Sequence, residues 1–346
     1  MAPMVTLFPE VADRPTQHHI EFYSRRARGG VGLVIVGATY VSAEGKGFPN
    51  QMGIDEDSKI SAFSDLAQQI QGHAPSILQL FHAGPKTSRS VSGHEVSAPS
   101  AFLAQGTRYD SPHALTNEEI ETLAARFEAA AERAQKAGFC GVELHGANGY
   151  LLHAFSDPWA NRRTDKWSCF EAFPTELVRR LRRRLSRRFL IGYTISPFAV
   201  NHPDIASADS LDRLAGLARL LAAAGVDYLH IYRGKAALQQ REESRVFAKI
   251  LRAEGITLPI VEGAGIRSAA QAEVFVREGV TLVTVGRALL GCPDLLTRRE
   301  FEYPDAELAK LSSSAELQKA FAAEYERPVY DKASRLWLRT THVSNR

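Results

Sequence analysis

Three side chains within six residues carry the chemistry this sequence offers: His145, Asn148 and Tyr150, in the run His145-Gly-Ala-Asn148-Gly-Tyr150. An imidazole, a carboxamide and a phenol suit a reaction in which a carbonyl oxygen gains negative charge while a neighbouring carbon is protonated. The apolar run 139–144 precedes them, so His145 falls where a buried strand emerges into a loop. Each residue alone has a plainer reading. A histidine after a strand is commonly satisfied by backbone, and a tyrosine there is commonly a core aromatic with its hydroxyl tied down. Only the three together argue for catalysis.

The elements that must hold them alternate. Apolar, β-branched runs occur at 31–36, 76–81, 139–144, 189–195, 226–231, 258–261 and 280–285. Amphipathic segments lie between them at 58–73, 116–137, 208–224, 242–254 and 268–278. Thr116-Asn-Glu-Glu119 reads as a capping box, and Ser268-Ala-Ala-Gln271 has the same form. Continuous apolar runs alternating with helices imply a parallel sheet buried on both faces. With Ala2-Pro3-Met4 as an eighth, incomplete strand, the pattern predicts an α/β (β/α)8 TIM barrel, its first strand truncated at the N-terminus. The expected organisation is a single domain over 1–346, with the barrel to about 294 and a helical tail from about 295. Active sites of such barrels lie at the C-terminal strand ends. Thr39, Gln79, His82, His145, Ser196, Arg233, Gly263 and Gly286 all fall there.

Composition sets bounds. Of 346 residues 45% are apolar and 23% charged, enough for a sizeable core, and the net charge is only +3. The three cysteines, Cys140, Cys169 and Cys292, are too scattered for a disulfide framework or an iron–sulfur cluster. No His/Asp/Glu cluster has metal-ligand spacing, so no metal is expected. The arginine-rich run 179–188 admits a polyanion-binding reading. However, Leu177, Leu181 and Leu185 form a helical stripe that leaves the arginines on wet faces, so no nucleic acid is expected. Without an apolar run of roughly 18 residues or a signal-like start, the expectation is a cytoplasmic protein with no membrane partner. Homo-oligomerisation is left open.

The segment from His145 through Tyr150 to Asn161-Arg-Arg-Thr-Asp165 resembles the active-site stretch of the old yellow enzyme family, the FMN-dependent ene-reductases. The similarity extends from Ala2-Pro-Met4 through Arg26–Thr39, Gln79-Leu-Phe-His-Ala-Gly84 and Ser97-Ala-Pro-Ser100 to Gly263-Ala-Gly265-Ile-Arg267 and Gly286-Arg287-Ala-Leu-Leu290. It implies a TIM barrel with FMN as cofactor, NAD(P)H as reductant and an enone-like small molecule as substrate. By the same resemblance, His145 and Asn148 hydrogen-bond the substrate carbonyl and Tyr150 protonates the α-carbon. Pro3, Met4, Ala38 and Gln79 lie at the flavin ring, while Gly265, Gly286 and Arg287 hold the phosphate. Glycines after the last two strands expose backbone N–H groups, a physical basis for that cradle. His82 is expected either near the ring or in a structural role, and Asn161–Asp165 as an ion-pair network stiffening its loop.

Departures accompany the resemblance. The family ends its fifth strand with Arg-x-Ser, where this chain has Thr194-Ile-Ser196, so an ionic contact to the reduced ring is expected to be lost. Val5 stands where a hydrogen-bonding residue is usual, Trp167-Ser-Cys-Phe170 shortens a loop, and Pro85 replaces an arginine. Relatives carry about twenty residues before Ala-Pro-Met, so a gapped first strand is expected. These differences leave an alternative open: a barrel that has abandoned flavin redox chemistry and runs an isomerisation, cyclisation or elimination beside a carbonyl.

Overall fold

The computed structural model describes residues 1–6, 8, 13–104, 108–197, 207–233, 246–297 and 301–304, with two short strands beyond. Seven parallel strands form one sheet: β1 (Val34–Tyr40), β2 (Ser76–Phe81), β3 (Gly141–Gly146), β4 (Leu190–Ile195), β5 (Tyr228–Ile231), β6 (Ile260–Glu262) and β7 (Leu282–Val283). They pair in sequence order. The helices of five or more residues packed around them are α1 (Gln17–Arg28), α2 (Ile60–Gln71), α3 (Asn117–Lys136), α4 (Leu151–Ser156), α5 (Ala172–Arg184), α6 (Ser207–Ala224), α7 (Phe247–Ala253), α8 (Ala269–Arg277) and α9 (Arg287–Gly291). This is the expected α/β barrel.

Strand alternation sorts the core into two. Outward residues such as Leu78, Leu80, Val142 and Leu144 join the large cluster against the helices. Ile35, Ile77, Tyr228 and Val261 form a separate cluster inside the barrel. Above that plug the inward positions turn polar, and the site begins there.

The expected gap beside the first strand is spanned. Ala2 N–H donates to Val285 O at 2.8 Å, while Met1 O accepts from Ile35 N–H at 3.3 Å. The N-terminal backbone thus touches both β1 and the end of β7 without forming a regular strand. Gly37 makes this closure possible, because a Cβ there would stand 1.9 Å from Met4 O. The β1–β2 register shifts between Val36 and Thr39, a bulge at the barrel mouth. Arg26, fully buried, donates to Leu289 O and Leu290 O, fastening α1 to the last carbonyls of α9.

Caps explain several helix starts. The Thr116 capping box forms as expected, with Thr116 Oγ1 accepting from Glu119 N–H and Glu119 accepting from Thr116 N–H. The Ser268 box forms only by half: Ser268 accepts from Gln271 N–H, but the Gln271 side chain turns to Arg267 N–H. A box absent from the sequence reading opens α1, where His19 Nδ1 accepts from Thr16 N–H at 3.2 Å. Burial holds His19 at a pKa of about 3, helped by His18, so the ring is a neutral acceptor. On α5 the arginines face neighbouring carboxylates: Arg184 meets Glu128 and Glu132, Arg180 meets Glu121, and Arg182 meets Asp227. No helix among the described residues is long and apolar enough to cross a membrane. The expected tail falls largely outside the described residues, apart from an antiparallel pair, Val329–Asp331 with Leu336–Leu338.

Candidate active site

One wall of the barrel mouth is built by the end of β3 and the loop into α4. Asn148 (φ 59°) and Gly149 (φ 73°) are consecutive left-handed residues, a backbone that Asn and Gly tolerate best. Their turn lets Tyr150 N–H reach Ala147 O and Gly149 N–H reach His153 Nδ1 at 2.8 Å. His145 Nδ1 accepts from Ala147 N–H at 3.3 Å. Burial lowers the His145 pKa to about 4, although the Glu143 carboxylate pulls the other way. The imidazole is therefore neutral at ordinary pH with its proton on Nε2. Tyr150 lies against it, ring centroids 5.2 Å apart, and 4.6 Å from Phe81. Burial raises the Tyr150 pKa well above the usual phenol value; Tyr109 and Tyr232 add to this and Arg108 opposes it. It is a protonated phenol. The Asn148 side chain makes no hydrogen bond to any described residue.

The floor is a polar knot centred on a residue the sequence reading missed. Glu143, wholly buried, accepts from Gln79 Nε2 (2.8 Å), Thr194 Oγ1 (2.7 Å), Tyr228 OH (2.9 Å) and His230 Nδ1 (3.1 Å). The donors come from β2, β4 and β5, so four adjacent strands meet on one carboxylate. Gly192 leaves space for Tyr228, whose ring would lie 2.1 Å from a Cβ there. Burial by itself would raise the Glu143 pKa, but His230, Thr194 and Tyr228 outweigh it and hold the carboxyl below its ordinary value. Thr194 is thus committed to Glu143. The expected loss of charge at this strand end is accompanied by a histidine on the next strand, in register with Thr194.

The remaining expected residues lie at the ends of β1, β6 and β7 and in the N-terminal segment beside them. Met4 lies between Gly37 and Gly286, its sulfur 3.8 Å from where a Gly286 Cβ would stand. Pro3 precedes it, half-buried. Ala38 is buried in the bulge, its carbonyl held by Gln51 Nε2 at 2.7 Å. Val5 packs in an apolar group with Ala38, Phe81, Phe48 and Tyr150. Gly265 is exposed with φ 61°, and nothing lies within 4 Å of a Cβ there. Arg287 has no hydrogen bond or ion pair with any described residue. Open glycine backbone after β6 and an uncommitted guanidinium after β7 fit a phosphate, and the polar floor with its flanking aromatic wall fits a flat heterocycle.

Two expectations are sharpened. His82 packs outward on Gly45 and accepts from Gly84 N–H, so its role is structural. Its neighbour Phe81, not singled out in the sequence, takes the inward place. The Asn161–Asp165 network does more than stiffen its own loop. Arg163 pairs with Asp165 and donates to Pro99 O and Leu115 O, while Arg162 donates to Ala101 O at 2.7 Å. These carbonyls flank the strand pair Ser97–Ala98 and His113–Ala114, so the motif latches that pair to the loop after α4.

A family model described as the NADH:flavin oxidoreductase / NADH oxidase family matches residues 1–305. The chain belongs to this family, the old yellow enzyme family. Its cofactor class, FMN with NAD(P)H as reductant, follows from that membership. Among its relatives, the NADH:fumarate oxidoreductase of Klebsiella pneumoniae (strain 342) is 33% identical over 315 residues, covering 86% of this chain and 34% of that protein. The probable NADH-dependent flavin oxidoreductase YqiG of Bacillus subtilis (strain 168) is 34% identical over 278 residues, covering 76% and 73%. The solved old yellow enzyme homologue from Zymomonas mobilis superposes with a TM-score of 0.74 at 24% identity, covering 92% of this chain and 94% of its own. The chain spans about a third of the length of the Klebsiella relative.

Proposed function

We propose that this barrel reduces the C=C bond of an α,β-unsaturated carbonyl compound, using FMN reduced by NAD(P)H. The observation that carries this reading is the pairing of a neutral His145, its proton on Nε2, with a protonated Tyr150 on one wall. The Klebsiella relative is named for fumarate, in which a C=C bond is conjugated to a carbonyl group.

When bound, FMN supplies the hydride. The protein's groups do the rest. His145 Nε2–H and the Asn148 amide hold the substrate oxygen and stabilise the negative charge that develops there, a role neutral donors fill without proton transfer. Tyr150, kept protonated by burial, delivers its proton to the α-carbon and recovers one from water. Phe81 and Phe48 line this wall and exclude solvent. Gly265, Gly286 and Arg287 would hold the phosphate; Gln79 and Thr194 would lie beneath the ring, with Pro3, Met4 and Ala38 at its edge. The flavin-free alternative keeps the same catalytic trio but leaves Arg287 and the open Gly265 backbone without a task.

The test is whether purified protein binds FMN and, once loaded, how Tyr150→Phe divides the two half-reactions. Turnover of an enone should fall while FMN reduction by NAD(P)H stays within a few-fold of the parent. A protein that remains colourless after incubation with FMN returns the function to the alternative. Equal loss in both half-reactions removes Tyr150 from the proton-donor role.

A further inference from the structure

Within the described residues the His230 side chain hydrogen-bonds to one group, the Glu143 carboxylate, Nδ1 facing both of its oxygens at 3.3 and 3.1 Å. A ring whose Nδ1 faces a carboxylate keeps its proton there and turns Nε2 away from it, free to bind a second proton or a ligand. His230 is in register with Thr194 on β4, and Thr194 with His145 on β3. Three neighbouring strands therefore present His145, Thr194 and His230 at one level of the barrel mouth, above Glu143. Like His145, His230 is buried, yet its Nδ1 meets a carboxylate where that of His145 meets a backbone N–H. The two histidines have opposite proton arrangements at the same level.

We propose that the Glu143–His230 pair is the proton-accepting group of the floor, taking up one proton from solvent at His230 Nε2 each time the bound FMN is reduced. The proposal rests on the reading that the ring lies over Gln79 and Thr194. A hydride from NAD(P)H brings two electrons and one proton and leaves the ring one negative charge richer. A proton from water on Nε2 makes an imidazolium that balances this charge, its Nδ1–H still bound to Glu143. When the hydride leaves for the alkene β-carbon, Tyr150 protonates the α-carbon and His230 returns its proton to solvent.

The groups facing the pair favour this assignment. Glu143 and His145 approach from β3, Tyr228 lies on its own strand, Glu262 stands on β6 and Arg233 follows β5. Glu143 attracts a proton to His230. His145 is neutral, and burial and the nearby carboxylate keep the Tyr228 phenol protonated. Burial raises the Glu262 pKa despite its contacts with the Phe247 and Ala248 N–H groups and the charge of Arg233. The change in charge is thus left to His230.

Spectroelectrochemical titration of the FMN-loaded protein at several pH values above neutrality counts protons taken up per two electrons. Two are expected for the parent and one for His230→Gln, which halves the dependence of the midpoint potential on pH. Glu143→Gln, which keeps the side-chain shape, should likewise give one. A reduced-minus-oxidised infrared difference spectrum with isotopically labelled histidine should show an imidazolium appearing on reduction in the unmodified protein, so the test does not depend on either variant folding. A parent that binds FMN but takes up one proton, or lacks the imidazolium signal, overturns this inference and leaves the proposed function standing. Two protons persisting in His230→Gln assign the second proton to another group and also overturn it. A chain that takes up no FMN removes both.

Discussion

His145 Nδ1 accepts the backbone N–H of Ala147, two residues ahead, and this single contact fixes which ring nitrogen carries the proton. Left-handed Asn148 and Gly149 follow directly and turn the chain so that Tyr150 N–H returns to Ala147 O. A hydrogen-bond donor aimed at a developing oxyanion commonly contributes about a hundredfold or more to turnover. His145→Ala should lose about that factor in enone reduction. His145→Gln, which can still offer an amide N–H, should recover part of it. Single-turnover oxidation of the reduced, FMN-loaded protein by an enone is the measurement; equal rates for Ala and Gln would show that the donor is unimportant.

Acid should weaken the fold in a defined window. His19, His82 and His153 are held at pKa values of about 3 and His145 at about 4, against 6.5 for the free side chain, with burial the largest cause in each. For a histidine with a depressed folded-state pKa, the unfolded chain binds the proton first. The stability contribution is complete above 6.5 and is lost as pH falls toward the folded value, at about 1.4 kcal/mol per pH unit per group. Urea unfolding at several pH values should show this slope. His82→Asn keeps an acceptor for Gly84 N–H but cannot titrate in the window, and should reduce the slope by about one group's share. An unchanged slope would place the His82 proton elsewhere.

Much of the barrel was legible because its strands are continuous apolar runs, and the region 76–81 was located to the residue. The loop trio was legible because its residues are adjacent in sequence. Glu143, Tyr228 and His230 were not, because they lie on two strands and meet only through barrel closure. A faint signal existed. In Val142-Glu143-Leu144-His145 the polar residues share the inward phase, and a charged residue on that phase requires interior partners. Thr194 read as a missing charge because the sequence could not show His230 beside it. The Ser268 cap failed in part because Gln271 found a nearer donor at Arg267.

The strand pair Ser97–Ala98 and His113–Ala114 should open independently of the barrel. Arg163 joins its two ends through Pro99 O and Leu115 O while paired to Asp165, and a lysine has no fork to span both carbonyls. Arg163→Lys should therefore cost about 2 kcal/mol locally, since hydrogen bonds to charged groups are each worth about 1.5–3 kcal/mol. Amide exchange should rise about tenfold or more at 97–115 and stay unchanged on β2 and β3. Uniform acceleration across the chain would mean that Arg163 supports global stability instead.

Gly37 can be tested through its neighbour. Alanine there would place Cβ 1.9 Å from Met4 O, forcing the N-terminal backbone away from β1. The hydrogen bonds of Met1 and Ala2 to Ile35 and Val285 share that segment, so Gly37→Ala should destabilise the fold by about 3 kcal/mol or more. Gly93→Ala is a useful contrast, because Gly93 is left-handed with open space around it, whereas Gly37 is crowded but not left-handed. Its cost should come from backbone strain alone, about 1 kcal/mol. Equal midpoints in denaturant for the two variants would show that Met4 can move aside at little cost.

Arg287 separates the phosphate from the ring. Its guanidinium has no partner among the described residues, and it begins α9 directly after Gly286. If it pairs with the FMN phosphate, Arg287→Ala should weaken FMN binding by about ten- to a hundredfold, the range for a charge-assisted hydrogen bond. Riboflavin has the same ring and lacks the phosphate, so its affinity should be nearly unchanged by the substitution. Fluorescence titration of both flavins against both proteins gives a thermodynamic cycle whose coupling isolates the phosphate contact. Equal weakening for FMN and riboflavin would place Arg287 at the ring or in the fold, and the phosphate would then have to be held by the backbone at Gly265 and Gly286 alone.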